Sequence, residues 1–189
     1  MRRSFILILC LLLSISLFAK KKGAPPMTSG APDERTCMTS KCHAGADVNS
    51  GDAEITIEGI PEIYTAGEIY EITLRLKQKG AKTWGFIATS IDSSGSYLGT
   101  MSPGEGKDTQ LMDDSRTKSR TDRRYVSHTE KGIKGPKKGE SPTWTIQWEA
   151  PESGSPATLH FAFNAANGNK KKTGDMIYTR SVTISPPKK

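Results

Sequence analysis

The chain has 189 residues, 34% of them hydrophobic and 25% charged, with 27 lysines and arginines against 20 aspartates and glutamates. That length suits one domain with short appendages, and 18 glycines with 11 prolines favour short strands and turns over long helices. The lysines fall in short runs at 20–22, 137–138, 170–172 and 188–189 without interleaved aromatics, which argues against a nucleic-acid binder and leaves solvated loop charge, or contact with an acidic redox partner or an anionic surface.

Residues 1–19 read as a signal peptide. Arg2 and Arg3 open it, Phe5 to Phe18 is apolar apart from small serines, and Ala19 fills the small position before cleavage. The run is shorter than the roughly 20 residues a spanning helix needs. The expectation is therefore an exported protein (periplasmic, outer-membrane associated or extracellular) with no stable transmembrane span after cleavage. Cys10 belongs to the signal. Residues 20–34, with three prolines and several small residues, predict a flexible tether, and residues 35–51 hold the two cysteines that remain in the mature chain.

Period-two patterns begin at Glu54. Residues 54–58, 70–76, 84–91, 124–129, 143–149, 157–164 and 177–184 each alternate or run apolar between turn signals, which makes about seven strands. Ser102 to Asp122 is polar and charged, and predicts a long exposed loop. No segment after the signal carries apolar residues at helical spacing, so the fold class is all-β, an antiparallel β-sandwich over 52–185 with a tail at 186–189. Trp84, Phe86, Trp144 and Trp148 fall on strand patterns and are expected between the sheets.

The informative stretch is Cys37-Met38-Thr39-Ser40-Lys41-Cys42-His43. In a haem c attachment motif two thiols add across the porphyrin vinyl groups and the adjoining histidine ligates iron. The usual spacing has two residues between the cysteines, and here there are four. Two other readings of these residues stand beside it: a Cys37–Cys42 disulfide, natural in an oxidising compartment, and a metal site that would need a fourth ligand from elsewhere. If iron is bound, candidates for its sixth ligand are His128, His160, Met101, Met112 and Met176. His128 is preferred because it follows a basic, polar loop, whereas His160 sits in a strand pattern opposite Leu159 and Phe161 and has a structural role.

Gly30-Ala31-Pro32-Asp33-Glu34 ahead of Thr36-Cys37, with Cys42-His43-Ala44-Gly45 after it, resembles the opening of bacterial exported proteins that join a c-type haem motif to a Reeler-like, choice-of-anchor β-sandwich. The likeness continues in order through Ile60-Pro61, Tyr64 to Gly67, Trp84-Gly85-Phe86, Tyr125 to Thr129, Trp144 to Pro151, Asn164 to Asn169 and Gly174 to Thr179. It implies an immunoglobulin-like sandwich carrying one covalent haem c, with Cys37 and Cys42 as thioether attachments, His43 as proximal iron ligand and His128 as a haem-side residue. The family often ends in a sorting segment, while this chain stops at Lys189, so a soluble or loosely attached protein is expected. Electron transfer with a redox partner protein, or redox-linked binding at an extracytoplasmic surface, is the implied function. A non-haem adhesion-type binding module is the alternative. No Gly-x-Ser-x-Gly elbow or Ser/His/Asp order points to an enzyme.

Overall fold

The computed structural model describes residues 22–38, 42–44, 46–112, 122–152 and 154–188. The expected signal, residues 1–19, lies outside them. Among the described residues no helix is long and apolar enough to cross a membrane. The period-two segments form strands β1 (Glu54–Glu58), β2 (Ile69–Lys77), β3 (Thr83–Ile91), β4 (Thr100–Pro103), β5 (Thr109–Met112), β6 (Tyr125–His128), β7 (Thr143–Glu149), β8 (Ala157–Ala166) and β9 (Met176–Ile184). One 3-10 turn, Lys131–Ile133, precedes β7. The strands pair antiparallel into a four-stranded sheet, β1-β2-β7-β4, and a five-stranded sheet, β5-β6-β3-β8-β9. The protein is an all-β sandwich.

Alternation dictates which faces meet. Ile72, Leu74 and Leu76 of β2 and Trp144, Ile146 and Trp148 of β7 point inward from one sheet, and Trp84, Phe86, Leu159, Phe161 and Phe163 answer from the other. Each large side chain taken fully out of water contributes about 1.5–3 kcal/mol. Phe86 packs on Trp144 with ring centroids 4.9 Å apart, so the aromatics expected between the sheets are there.

β3 breaks the alternation, because every residue after Thr83 is buried. Its outward face is covered as well. A second apolar cluster forms there from Ala24, Cys37, Ile87, Tyr125, Ala162 and Ile177, with Met27, Met38, Val48 and Met112 packed against it. The segment expected as a flexible tether is thus, from residue 22 onward, an irregular strap laid on the five-stranded sheet, with the chain folding back between Ser29 and Thr36. The Ala24 amide donates to Ser127 Oγ at 3.0 Å, and Ser29 bridges Thr36.

The strap is held by Glu34, whose side chain is fully buried. Its carboxylate accepts from Arg123 Nη1 at 2.8 Å, from the Tyr125 hydroxyl at 2.6 Å and from the Ser29 amide at 3.1 Å. Arg123 also donates to the carbonyls of Pro32 and Gly95. Burial, followed by the Glu34 contact, drives the Tyr125 phenol far above its ordinary pKa. It therefore stays a donor. Further on, Asn49 at φ 63° donates its amide to the Ile177 carbonyl at 2.8 Å and accepts the Thr179 amide at 2.9 Å, which closes part of the β9 edge.

The stretch 102–122 differs from the single loop predicted for it. β4 ends and β5 forms inside it, pairing with β7 and β6 respectively, while 113–121 lies outside the described residues. Edge strands of four residues leave too little alternation to be read from sequence.

Replacing Glu34 by alanine leaves the Arg123 guanidinium buried without its carboxylate, a loss expected to cost about 3–5 kcal/mol. Urea unfolding of wild type and Glu34→Ala measures it, and an unchanged midpoint would mean that the strap is not held by this network.

Candidate functional site

The His43 amide donates to the Cys37 carbonyl at 3.2 Å, so the chain returns on itself between these two residues. Cys37 is buried and Cys42 exposed. Burial pushes the Cys37 thiol pKa up to about 11; a hydrogen bond with Thr28 works against this, and the neighbouring Cys42 adds to it. A thiol at that value is almost wholly protonated at neutral pH and a poor nucleophile.

His43 is placed by two elements distant in sequence. The Ala44 amide donates to the Lys172 carbonyl at 2.7 Å, and Ala44 pairs with Thr173 in an isolated parallel bridge, so this part of the chain is seated on the β8–β9 loop. From that loop Asp175, only 3% exposed, places Oδ2 2.7 Å from His43 Nδ1. Its Oδ1 accepts the Asn167 amide at 3.0 Å. A carboxylate can only accept, so Nδ1 carries a proton, and in the neutral imidazole Nε2 is then the nitrogen with the lone pair. Nε2 lies 3.2 Å from Asn164 Nδ2, and Asn164 Oδ1 is buried without a hydrogen-bond partner.

His128 stands on the same face of the sheet. Its Nδ1 is 3.0 Å from both the amide and the carbonyl of Phe86, and its ring covers Gly85. A Cβ built on Gly85 would fall 2.6 Å from the ring Cε1 and 3.1 Å from Nε2. Gly85 pairs directly with Asn164. The two histidines therefore sit over neighbouring positions of β3 and β8, one against Asn164 and one above Gly85. Burial lowers the His128 pKa, partly offset by its bond to Phe86, and keeps the ring neutral.

Of the sequence candidates, Cys37, His43, His128 and Met112 share the outward face, and Cys42 lies exposed beside them. Met101 and Met176 belong with the inter-sheet core and are removed from this face. His160 pairs with Thr89 and Ser181, several residues along β8 from Asn164. Sequence reasoning missed Asp175 and Asn164. The one available signal for Asp175 was a lone acidic residue entering the apolar start of β9.

For a covalent haem c the donor set fits. Two thiols stand next to an imidazole whose Nε2 lone pair is oriented by a carboxylate on Nδ1, the arrangement that fixes metal-ligating histidines. Neutral His128 is a second imidazole on the same face. For an all-protein metal site the residues do not fit: among the described residues no group of three or more His, Cys, Asp or Glu gathers to hold an ion.

No protein-family model matches the chain, and no curated protein matches it. Among solved structures it is similar to the reelin-N domain of F-spondin (TM-score 0.48, 16% identity, 75% of this chain and 91% of that one). It is also similar to the human F-spondin reeler domain (TM-score 0.46, 15% identity, 74% and 93%). A third likeness is to a cohesin module from a family 33 glycoside hydrolase of Clostridium perfringens (TM-score 0.42, 9% identity, 72% and 98%).

Two outcomes follow from this geometry. Gly85→Ala forces the His128 ring aside and should cost about 1–3 kcal/mol. In a His128→Ala background the same change should cost little, and an equal cost in both backgrounds would refute the contact. The buried His128 binds protons less readily folded than unfolded, so its contribution to stability is full above the unfolded pKa of 6.5 and is lost as pH falls below it. His160, also lowered by burial, adds to the effect. Urea midpoints of the protein measured from pH 8 to pH 5 should fall, and fall less for His128→Gln.

Proposed function

We propose that the protein is an exported, non-enzymatic β-sandwich module that carries one covalent haem c on the outward face of its five-stranded sheet and serves electron transfer or redox-linked binding. The observation that carries this reading is the His43–Asp175 pair. A buried carboxylate 2.7 Å from Nδ1 sets the tautomer that leaves Nε2 as donor, next to the two cysteines.

Cys37 and Cys42 would hold the group through thioethers, and His43 would ligate its iron through Nε2. When bound, haem supplies a ferric/ferrous couple that exchanges one electron. The chain's own residues do the rest. Asp175 holds the imidazole proton and makes the ring a stronger donor. Asn164, which meets Nε2 in the protein without haem, is the residue that must yield to a ligand there. Met27, Met38, Val48 and Met112 surround Cys37 with apolar surface and lower the local dielectric. His128, whose pKa burial lowers, would be the second imidazole able to ligate the iron.

A second reading has its own support. The Cys37 cluster packs closed without a cofactor, with Cys37 only 7% exposed. That suits a non-haem extracytoplasmic binding module in which Cys37 and Cys42 oxidise to a disulfide.

A pyridine haemochrome spectrum and an intact mass separate the two. On protein exported by a host with cytochrome c maturation machinery, the expected result is a c-type spectrum and a mass gain of one haem, both abolished in Cys37→Ala/Cys42→Ala. A polypeptide two hydrogens lighter than its reduced form, with no absorbance, would overturn the haem reading in favour of the disulfide-bearing module.

A further inference from the structure

Antiparallel topology sorts the loops of this sandwich by charge. Four connections meet at the end where β2, β4, β6 and β8 finish and β3, β5, β7 and β9 start; one, the β4–β5 loop 104–108, is mixed in sign with Glu105, Lys107 and Asp108, and the other three are rich in lysine. The β2–β3 hairpin, 78–82, brings Lys79 and Lys82. The segment 129–142 brings Lys131, Lys134, Lys137 and Lys138. The β8–β9 loop brings Lys170 to Lys172. Against these nine lysines the same loops hold Glu130, Glu140 and Asp175, and Asp175 is buried on His43. Among the described residues only Lys137 of the nine has a carboxylate within ion-pair reach, Glu140 at 4.0 Å. At the other end, loops 59–68, 92–99 and 150–156 carry Glu62, Glu68, Asp92 and Glu152 and no lysine or arginine. The β5–β6 connection, 113–124, joins strands at that end too and is mixed in sign in the sequence, and Lys188 follows β9 there.

We infer that the lysine-bearing end is a docking face for the acidic surface of a partner protein. Like charges gathered without partners repel one another and give nothing to the fold, while their summed field reaches about 10 Å into solvent at 0.1 M salt and steers an oppositely charged body. The face has relief as well: a groove of about 690 Å³ opens beside it, bordered by both signs of charge, Arg75, Lys77 and Lys79 with Asp52, Glu54 and Glu140, and Lys77 is paired with Glu54. An anionic membrane is the poorer occupant. Among the described residues the exposed large hydrophobics are Ile63, Ile69 and Leu111, none of them in the lysine loops, so those loops offer no large exposed apolar side chain to insert into lipid. The β8–β9 loop also seats Ala44, the neighbour of His43, so a docked partner lies next to the candidate site. The docking face rests on the topology and the charges, and it holds with or without haem.

The test is lysine footprinting by acetylation and mass spectrometry on the exported protein, alone, with poly-L-glutamate, and with phosphatidylglycerol–phosphatidylcholine vesicles. At low salt poly-L-glutamate should protect lysines of the three loops and spare Lys188 at the opposite end, and protection should vanish at high salt. Lys170→Glu/Lys171→Glu/Lys172→Glu should weaken binding roughly tenfold. Should that variant fold poorly, Lys131→Glu/Lys134→Glu tests the same face. Protection spread evenly to Lys188, or none, would overturn the inference, as would protection by the vesicles alone.

Discussion

The buried carboxylate of Glu34 is the constraint from which the candidate site follows. A carboxylate removed from water is tolerable only when its oxygens are occupied by donors, and Arg123, Tyr125 and Ser29 supply them. Two of those donors belong to the sandwich and one to the strap, so the requirement to satisfy one charge pins residues 22–38 to the sheet. With the strap in place, the outward faces of Ile87, Ala162 and Ile177 become core, Cys37 becomes buried, and His43 is carried to the β8–β9 loop. Strap and sheet are therefore expected to come apart together.

The sandwich was largely legible because alternation is a local property. Residues 70–76 and 143–149 announce strands, and the tryptophans mark the face that turns inward. β4 and β5 were not legible: four residues of mixed polarity at a sheet edge are held in line by their neighbours' backbone groups, and so short a run leaves too little alternation to mark them. The strap was read as a free tether for the same kind of reason. Proline and small residues do predict a chain without regular strands or helices, and it has none, but its burial depends on Arg123, 89 positions away.

The candidate site was legible only at its cysteine–histidine stretch. Cys37, Cys42 and His43 stand close together in the sequence, so adjacency alone singled them out. Asp175 and Asn164 meet His43 across 132 and 121 residues, and an aspartate in a lysine-rich loop or an asparagine in a strand has no spacing that signals a partner. His128 shows the middle case. The residue type was legible, but the reason it fits where it does is the missing side chain of Gly85, a feature of the facing strand.

The burial of Cys37 also imposes an order on the life of the chain. Its sulfur is apolar-packed and protonated once the strap has docked, so bond formation at that atom belongs to the period before docking. A chain exported as proposed above emerges from its amino end, and the elements that cover Cys37 and grip His43, from β3 to β9, all follow it. Its thiol is then accessible before the surface that will enclose it exists. Chain direction alone opens an interval for modification, and completion of the last strand shuts it.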